Sequence, residues 1–334
     1  MSATADVTPD QGLDQSVDAV EETPAREWVA YWTFRSTEWI SMRLPRAVGT
    51  RLGEEYFLQL FRLADGQRRT VAGNLAHVLG HPPESDLVQT ATRECFRLYG
   101  RYWYETFALR SMPVAEVNRR FTVSGMEHLA KGVEERTGAI MVLPHMGNWD
   151  AAGHWLTLQG YRMTAVAEEL KPTRVFDLFY RHRRALGMNI VPLTGPRVAE
   201  RLVEVLRENQ VLTLVADRDL TGRGVDVEMF GAIRKLPAGP ARLALSTGAP
   251  LSVCSVFTTD EGWHCIINPP IRLETPTGNL RTDVTAMTER IAVEFERFIA
   301  AAPSDWHMFQ PAWDDGANGP PVGGIVAAAA AASA

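Results

Sequence analysis

"GAIMVLPH" (residues 138–145) carries five consecutive apolar residues, Ala139 to Leu143, between a glycine and a proline. Such a run is too short for a helix and lacks the alternation of a half-exposed strand, so it reads as a strand buried on both faces. The residues that follow, "MGNWDAAGHWLTLQG" (146–160), change period: Asn148 is a good N-cap, Trp149 and Asp150 fall in a first helical turn, and Gly160 ends the helix. The same succession recurs downstream. "MTAVAEE" (163–169), "NIVPLTG" (189–195), "QVLTLVAD" (210–217) and "PLSVCSVFTT" (250–259) read as strands, with helices expected near 149–159, 173–186 and 196–208. Strand–helix alternation of this kind predicts an α/β fold with a mostly parallel central sheet flanked by helices.

Upstream the chain reads as mainly helical over 26–120. "REWVAYWTFRSTEWISMRLP" (26–45) forms an aromatic-rich segment stopped by Pro45, and further helices are expected near 66–79 and 84–109. A hairpin-like strand near 263–273 and a last helix near 282–301 close the pattern. Residues 1–25 read as a disordered acidic tail and 316–334 as a low-complexity tail, leaving 26–315 as one domain. At 46% hydrophobic and 22% charged, the chain has enough apolar residues for a large core.

The net charge of −6 gives little guide to a partner. Six acids against Arg26 in the first 26 residues account for nearly all of it, and the remainder shows no field suited to nucleic acid. Only three of the 34 cationic residues are lysine (Lys131, Lys171, Lys235). Arginine suits bidentate phosphate binding, although genomic base composition produces the same bias. Three widely spaced cysteines (Cys95, Cys254, Cys265) exclude a disulfide framework and point to a reducing compartment. No signal peptide and no run long enough to span a bilayer is read, so a soluble or peripheral protein is expected.

In parallel sheets chemistry gathers beyond the carboxyl ends of strands, where His145, Glu168 and Asp217/Asp219 fall. His145 precedes the helix cap by three residues, and a carboxylate at Asp150 is able to reach back and orient the imidazole as the partner of a general base. The helix start at Asn148 offers amides to an oxyanion. The same residues also read as an Asp complementing the helix dipole beside an unrelated histidine. Asp217 or Asp219, in "ADRDLTGRG" (216–224), forms an alternative or second partner for His145 across neighbouring strands. His145, Asp150 and His154 are too incomplete a ligand set for a metal, and none is expected. Arg183 and Arg184 crowd the end of a helix started by Pro172, where they stabilise its terminus or reach a phosphate. Arg234, with Lys235, precedes another helix start suited to a diphosphate or a lipid headgroup. Trp28, Tyr31, Trp32 and Trp39 with Arg35, Arg43 and Arg46 match an interfacial helix, or else one packed on the core.

Together "LPHMGNWD", "VAEELKP", "VPLTG", "ADRDLT" and "PAGPARLA" resemble, in order, the lysophospholipid and lipid A acyltransferase-like superfamily with its H-x4-D signature, here His145 and Asp150. The similarity spans about residues 28–315 and is strongest to the phosphatidylinositol mannoside acyltransferases of actinobacteria. It implies a glycerolipid acyltransferase-like fold and transfer of a long-chain acyl group, such as palmitoyl, from acyl-CoA to a mannose hydroxyl of a phosphatidylinositol mannoside. On this resemblance His145 is the general base, Asp150 belongs to the signature, and Glu168 and Arg183 line the active-site groove. It further implies acyl-CoA as co-substrate with no cofactor, and a monomer lying peripherally on the cytoplasmic face of the plasma membrane. Physics supports direct transfer: a sugar hydroxyl needs a base, and no serine or cysteine stands in an elbow such as G-x-S-x-G. A related acyltransferase acting on a lysophospholipid or lipid A-type saccharide, a non-catalytic lipid-binding protein and a metal hydrolase are the competing readings.

Overall fold

The computed structural model describes residues 24–169 and 173–313. Apart from Pro24 and Ala25, which begin the first helix, the two tails read from sequence lie outside the described residues, as does the helix start at Pro172. The N-terminal region is helical: α1 (Pro24–Ser41), α2 (Arg46–Leu63), α3 (Asp65–Leu79) and α4 (Asp86–Ala108). Ser85 caps α4 by accepting from the Val88 amide, and Gly80 ends α3 in the left-handed conformation. Helix α2 was not anticipated. Pro45 stops α1 and, with no amide to lose, also stands at the start of the next helix. Helices α2 and α4 then pack backbone to backbone. A Cβ at Gly100 would lie 2.2 Å from the Gly53 carbonyl oxygen, and one at Gly53 would lie 2.6 Å from that of Gly100.

Helix α1 buries Ala30, Phe34 and Glu38, one turn apart, against α4 and the later helix α8 (Thr173–Ala185). Its opposite face leaves Trp28, Trp32 and Trp39 at 43%, 58% and 53% exposure, with Arg43 stacked over Trp39. The aromatic segment therefore packs on the core with one face, as one of the two sequence readings had it, and presents tryptophans to solvent with the other. No helix among the described residues is long and apolar enough to cross a membrane.

Beyond α5 (Val114–Arg120), β1 (Phe121–Ser124) and α6 (Met126–Glu134), the expected alternation appears. It runs β2 (Ala139–Leu143), α7 (Trp149–Leu158), β3 (Met163–Ala167), α8, β4 (Asn189–Pro192), α9 (Val198–Arg207) and β5 (Val211–Val215). A small antiparallel hairpin, β6 (Val225–Met229) and β7 (Ala232–Leu236), carries Arg234 and Lys235 ahead of the expected helix start. Then come α10 (Gly239–Thr247), β8 (Leu251–Thr258), β9 (Trp263–Ile267) and α11 (Leu280–Ala301). The seven-stranded sheet has the order β1-β9-β8-β2-β5-β3-β4, parallel except for the β8–β9 pair. The α/β reading with a mostly parallel central sheet and a helical N-terminal region is confirmed; strand β1 and the hairpin are additions to it.

Strand β2 explains why its run is uninterrupted. Ile140 and Val142 enter the core formed with α9, α10 and α11, whereas Ala139, Met141 and Leu143 enter the opposite core with α7. The chain crosses from β2 to β3, and β5 later inserts between them. The carboxyl ends of β2 and β5 thus lie side by side, at the kind of crevice where α/β sheets bind ligands.

Candidate active site

Leu143 of β2 pairs with Val215 of β5. Two residues beyond each stand His145 and Asp217, and the register carries their side chains together. His145 Nδ1 lies 2.5 Å from Asp217 Oδ1, and the His145 amide donates to Asp217 Oδ2 at 2.9 Å. A third donor, the Trp306 indole N–H, reaches Oδ2 at 2.8 Å. Burial opposes ionisation of Asp217, but His145 and these donors outweigh it and hold the carboxyl well below the usual range. With Asp217 accepting from Nδ1–H, the imidazole presents Nε2 as its acceptor.

The loop after β2 is pinned by the C-terminal segment. Gly147 donates to the Asp305 carbonyl, Met146 bridges Trp306, and the His307 amide donates to the His145 carbonyl at 2.7 Å. Gly147 has φ +56°, and a Cβ there would sit 2.1 Å from the Val256 carbonyl oxygen, so only glycine fits between histidine and helix. Asn148 caps α7 as expected, accepting from the Ala151 amide at 2.8 Å. Its side chain is buried and does not line the cavity described below, which removes it as a direct substrate contact.

Asp150 is not the partner of His145. A carboxylate in the first turn of α7 points toward the helical region, where it accepts from Arg183 Nε at 2.6 Å, Arg183 Nη2 at 3.2 Å and the Tyr102 hydroxyl at 2.9 Å. Burial raises its proton affinity, yet the Arg183 charge and these bonds keep it lowered overall. Asp219 is also turned away. Its Oδ1 accepts from Thr221 and its Oδ2 from the Gly224 amide, closing its own loop.

Two expected substrate contacts are corrected as well. Arg184 points out to Asn189 and is absent from the cavity wall. Arg234 is buried beneath the loop, where the antiparallel hairpin folds it inward: Nη2 donates to the Asp217 carbonyl, and Lys235 pairs instead with Asp226. Arg183 and Glu168 do line the cavity, Glu168 in an ion pair with Arg218, which also donates to Gln310. His154 Nδ1 donates to the Leu186 carbonyl at 2.9 Å. No three His, Cys, Asp or Glu among the described residues converge as metal ligands.

His145 opens onto a cavity of about 410 Å³. Its wall is mostly apolar, built from Met163, Ala165, Met188, Leu202, Leu214 and Leu243, with polar groups that include His145, Asp150, Arg183, Glu168 and Arg218. Trp149 also lines the cavity, and so do Tyr99, Tyr102 and His307, which were not read from sequence as parts of the site. Trp149 lies edge-on to the His145 ring, and Tyr102 packs on Trp149. His307 is buried, neither ring nitrogen has a hydrogen-bond partner, and burial pushes it down to about 3. The one signal available for it was the density of aromatic and polar residues in "DWHMFQPAW" (305–313), which follows the last helix and fits no periodic element.

A histidine held by a buried carboxylate at the mouth of an apolar cavity suits proton removal from a hydroxyl beside a long aliphatic group. The comparisons with known proteins agree with such chemistry. The chain is 38% identical over 275 residues to a phosphatidylinositol mannoside acyltransferase of Mycolicibacterium smegmatis, covering 81% of this chain and 88% of that protein. To the protein of the same name from Mycobacterium tuberculosis it is 37% identical over 292 residues, covering 84% and 88%. The model of the family described as bacterial lipid A biosynthesis acyltransferase matches residues 21–315, and the chain belongs to that family.

Proposed function

We propose that this acyltransferase moves a long-chain fatty acyl group, palmitoyl in the first instance, from acyl-CoA to a mannose hydroxyl of a phosphatidylinositol mannoside. The observation that carries the reading is the His145–Asp217 pair, with His145 in the wall of a mostly apolar cavity. His145 Nε2 takes the proton of the acceptor hydroxyl as its oxygen attacks the thioester carbon. Asp217 fixes the tautomer and stabilises the imidazolium that forms. The carbon–sulfur bond then breaks, and the imidazolium returns the proton to the departing CoA thiolate. Amides at the start of α7, at Trp149 and Asp150, are the donors for the oxyanion.

Direct transfer is favoured because no serine or cysteine is found among the residues lining the cavity. Arg183 is anchored by Asp150 and faces the cavity, which suits a phosphate of the donor or acceptor. His307, buried and neutral, offers one donor and one acceptor to a sugar hydroxyl. The exposed tryptophans of α1, beside Arg43 and Arg46, suit the headgroup layer of an inner leaflet, where the protein works as a peripheral monomer.

The test is incubation of purified protein with labelled palmitoyl-CoA and a panel of mannosylated phosphoinositides, plain phosphatidylinositol, lysophospholipid and a lipid A-type saccharide. Label is expected on the mannosylated lipids. Transfer confined to lysophospholipid or to the saccharide would replace the acceptor assignment, and a labelled protein adduct formed without acceptor would replace direct transfer.

A further inference from the structure

The role of Arg234 is not that of a ligand contact. Its side chain is buried, and among the described residues no carboxylate lies within ion-pair distance. Nη2 donates to the Asp217 main-chain carbonyl at 2.5 Å, while Nε and Nη1 have no hydrogen-bond partner. The guanidinium sits 4.9 Å from the Trp313 ring and 5.8 Å from the Trp306 ring, the same Trp306 whose N–H holds Asp217 Oδ2. A cation without a paired acid is costly to bury. Burial pulls this one down to about 10, and the opposite charge acting on it is that of Asp217.

We propose that Arg234 is a positioning residue for acyl transfer, holding the Asp217 backbone and supplying a buried positive charge behind the His145–Asp217 pair. The proposal rests on the acyl-transfer reading above. A fixed cation there favours the Asp217 anion and opposes a second positive charge on the imidazole, so that the base is available at lower pH. The other titratable and charged groups around the pair are His307 on the C-terminal segment, Tyr99 and Tyr102 on α4, Asp150 of α7 with Arg183 of α8, and Arg218 with Glu168. None of them is hydrogen-bonded to Arg234.

The experiment compares wild type, Arg234→Gln, Arg234→Lys, Asp217→Asn and the Arg234→Gln/Asp217→Asn double variant by kcat/KM against pH. Thermal melts identify any variant that fails to fold. Arg234→Gln is expected to lose roughly 10–100-fold, as outer partners of a reacting group do, and to move the acidic limb of the profile to higher pH. Arg234→Lys should restore most of the rate and the position of the limb. In the Asp217→Asn background Arg234→Gln should cost several-fold less than it does in wild type, because the carboxylate that Arg234 favours is gone. An unmoved limb, or equal losses in both backgrounds, makes Arg234 structural only and ends the proposal. If wild type transfers no acyl group, the functional reading fails separately. The His145 Nδ1 proton in the NMR spectrum then decides: retained in Arg234→Lys and shifted or lost in Arg234→Gln supports the proposal, and unchanged in Arg234→Gln contradicts it.

Discussion

His145 and Asp217 are 72 residues apart in sequence and occupy equivalent positions, each two residues past the paired ends of β2 and β5. Their contact is a consequence of sheet register. Asp150, only five residues from His145, serves a different group, the Arg183 guanidinium.

That division of labour separates two substitutions. Asp150→Asn leaves Arg183 and Tyr102 without their shared acceptor charge and is expected to cost about 2–3 kcal/mol in urea unfolding. This is below the usual range for a broken buried pair because the Arg183 side chain is 23% exposed. The KM for substrate should rise while the acidic limb of kcat/KM stays in place, since Asp150 has no bond to His145. A displaced limb would mean that Asp150 acts on the imidazole after all.

The depressed proton affinity of His307 makes stability depend on pH. The unfolded histidine titrates near 6.5, whereas burial holds the folded one at about 3. Folding therefore benefits fully from the neutral ring above about pH 6.5, and that benefit is lost progressively as pH falls from there toward 3. At pH 5 the loss is about 2 kcal/mol. Replacing His307 with Phe removes the dependence, so the difference in Tm between His307→Phe and wild type should grow in favour of the variant between pH 7 and 4. A difference constant across that range would show that the ring is not held neutral.

The α2–α4 contact supplies a test of the fold. Gly100→Ala places a methyl group 2.2 Å from the Gly53 carbonyl, where only movement of a whole helix gives relief. The expected destabilisation is about 3 kcal/mol, the upper end for overpacking. Loss of less than about 1 kcal/mol, by denaturant unfolding, would place the two helices further apart.

How much of this was legible follows from which residues carry periodic signals. The five apolar residues of β2 mark a strand covered on both faces, and the alternation of such runs with helical stretches indicated helices on either side. Helix α2 was not legible because large apolar residues stand on both of its faces, Val48, Leu52 and Tyr56 exposed and Phe57, Leu58 and Leu60 buried, which blurs the pattern that marks a buried face. His145 was found because it ends a strand. Its partner stayed open between Asp150, Asp217 and Asp219, since strand order decides which carboxylate arrives beside it and no local signal encodes strand order. Arg234 was misplaced because a basic residue before a helix suggested a phosphate site, whereas the β6–β7 hairpin turns it inward. Tyr102, Trp306 and His307 come from a distant helix and from an irregular segment, and only the assembled sheet brings them to His145.

The most direct test of the central claim is the acyl transfer rate of Asp217→Asn, measured with palmitoyl-CoA and a mannosylated phosphoinositide. An Asn keeps the shape but withdraws the charge that orients the imidazole, for which a loss of about 10³–10⁴-fold in kcat is expected, with KM little changed. A variant retaining more than about a tenth of the wild-type kcat would contradict the assignment of His145 and Asp217 as the base and its partner.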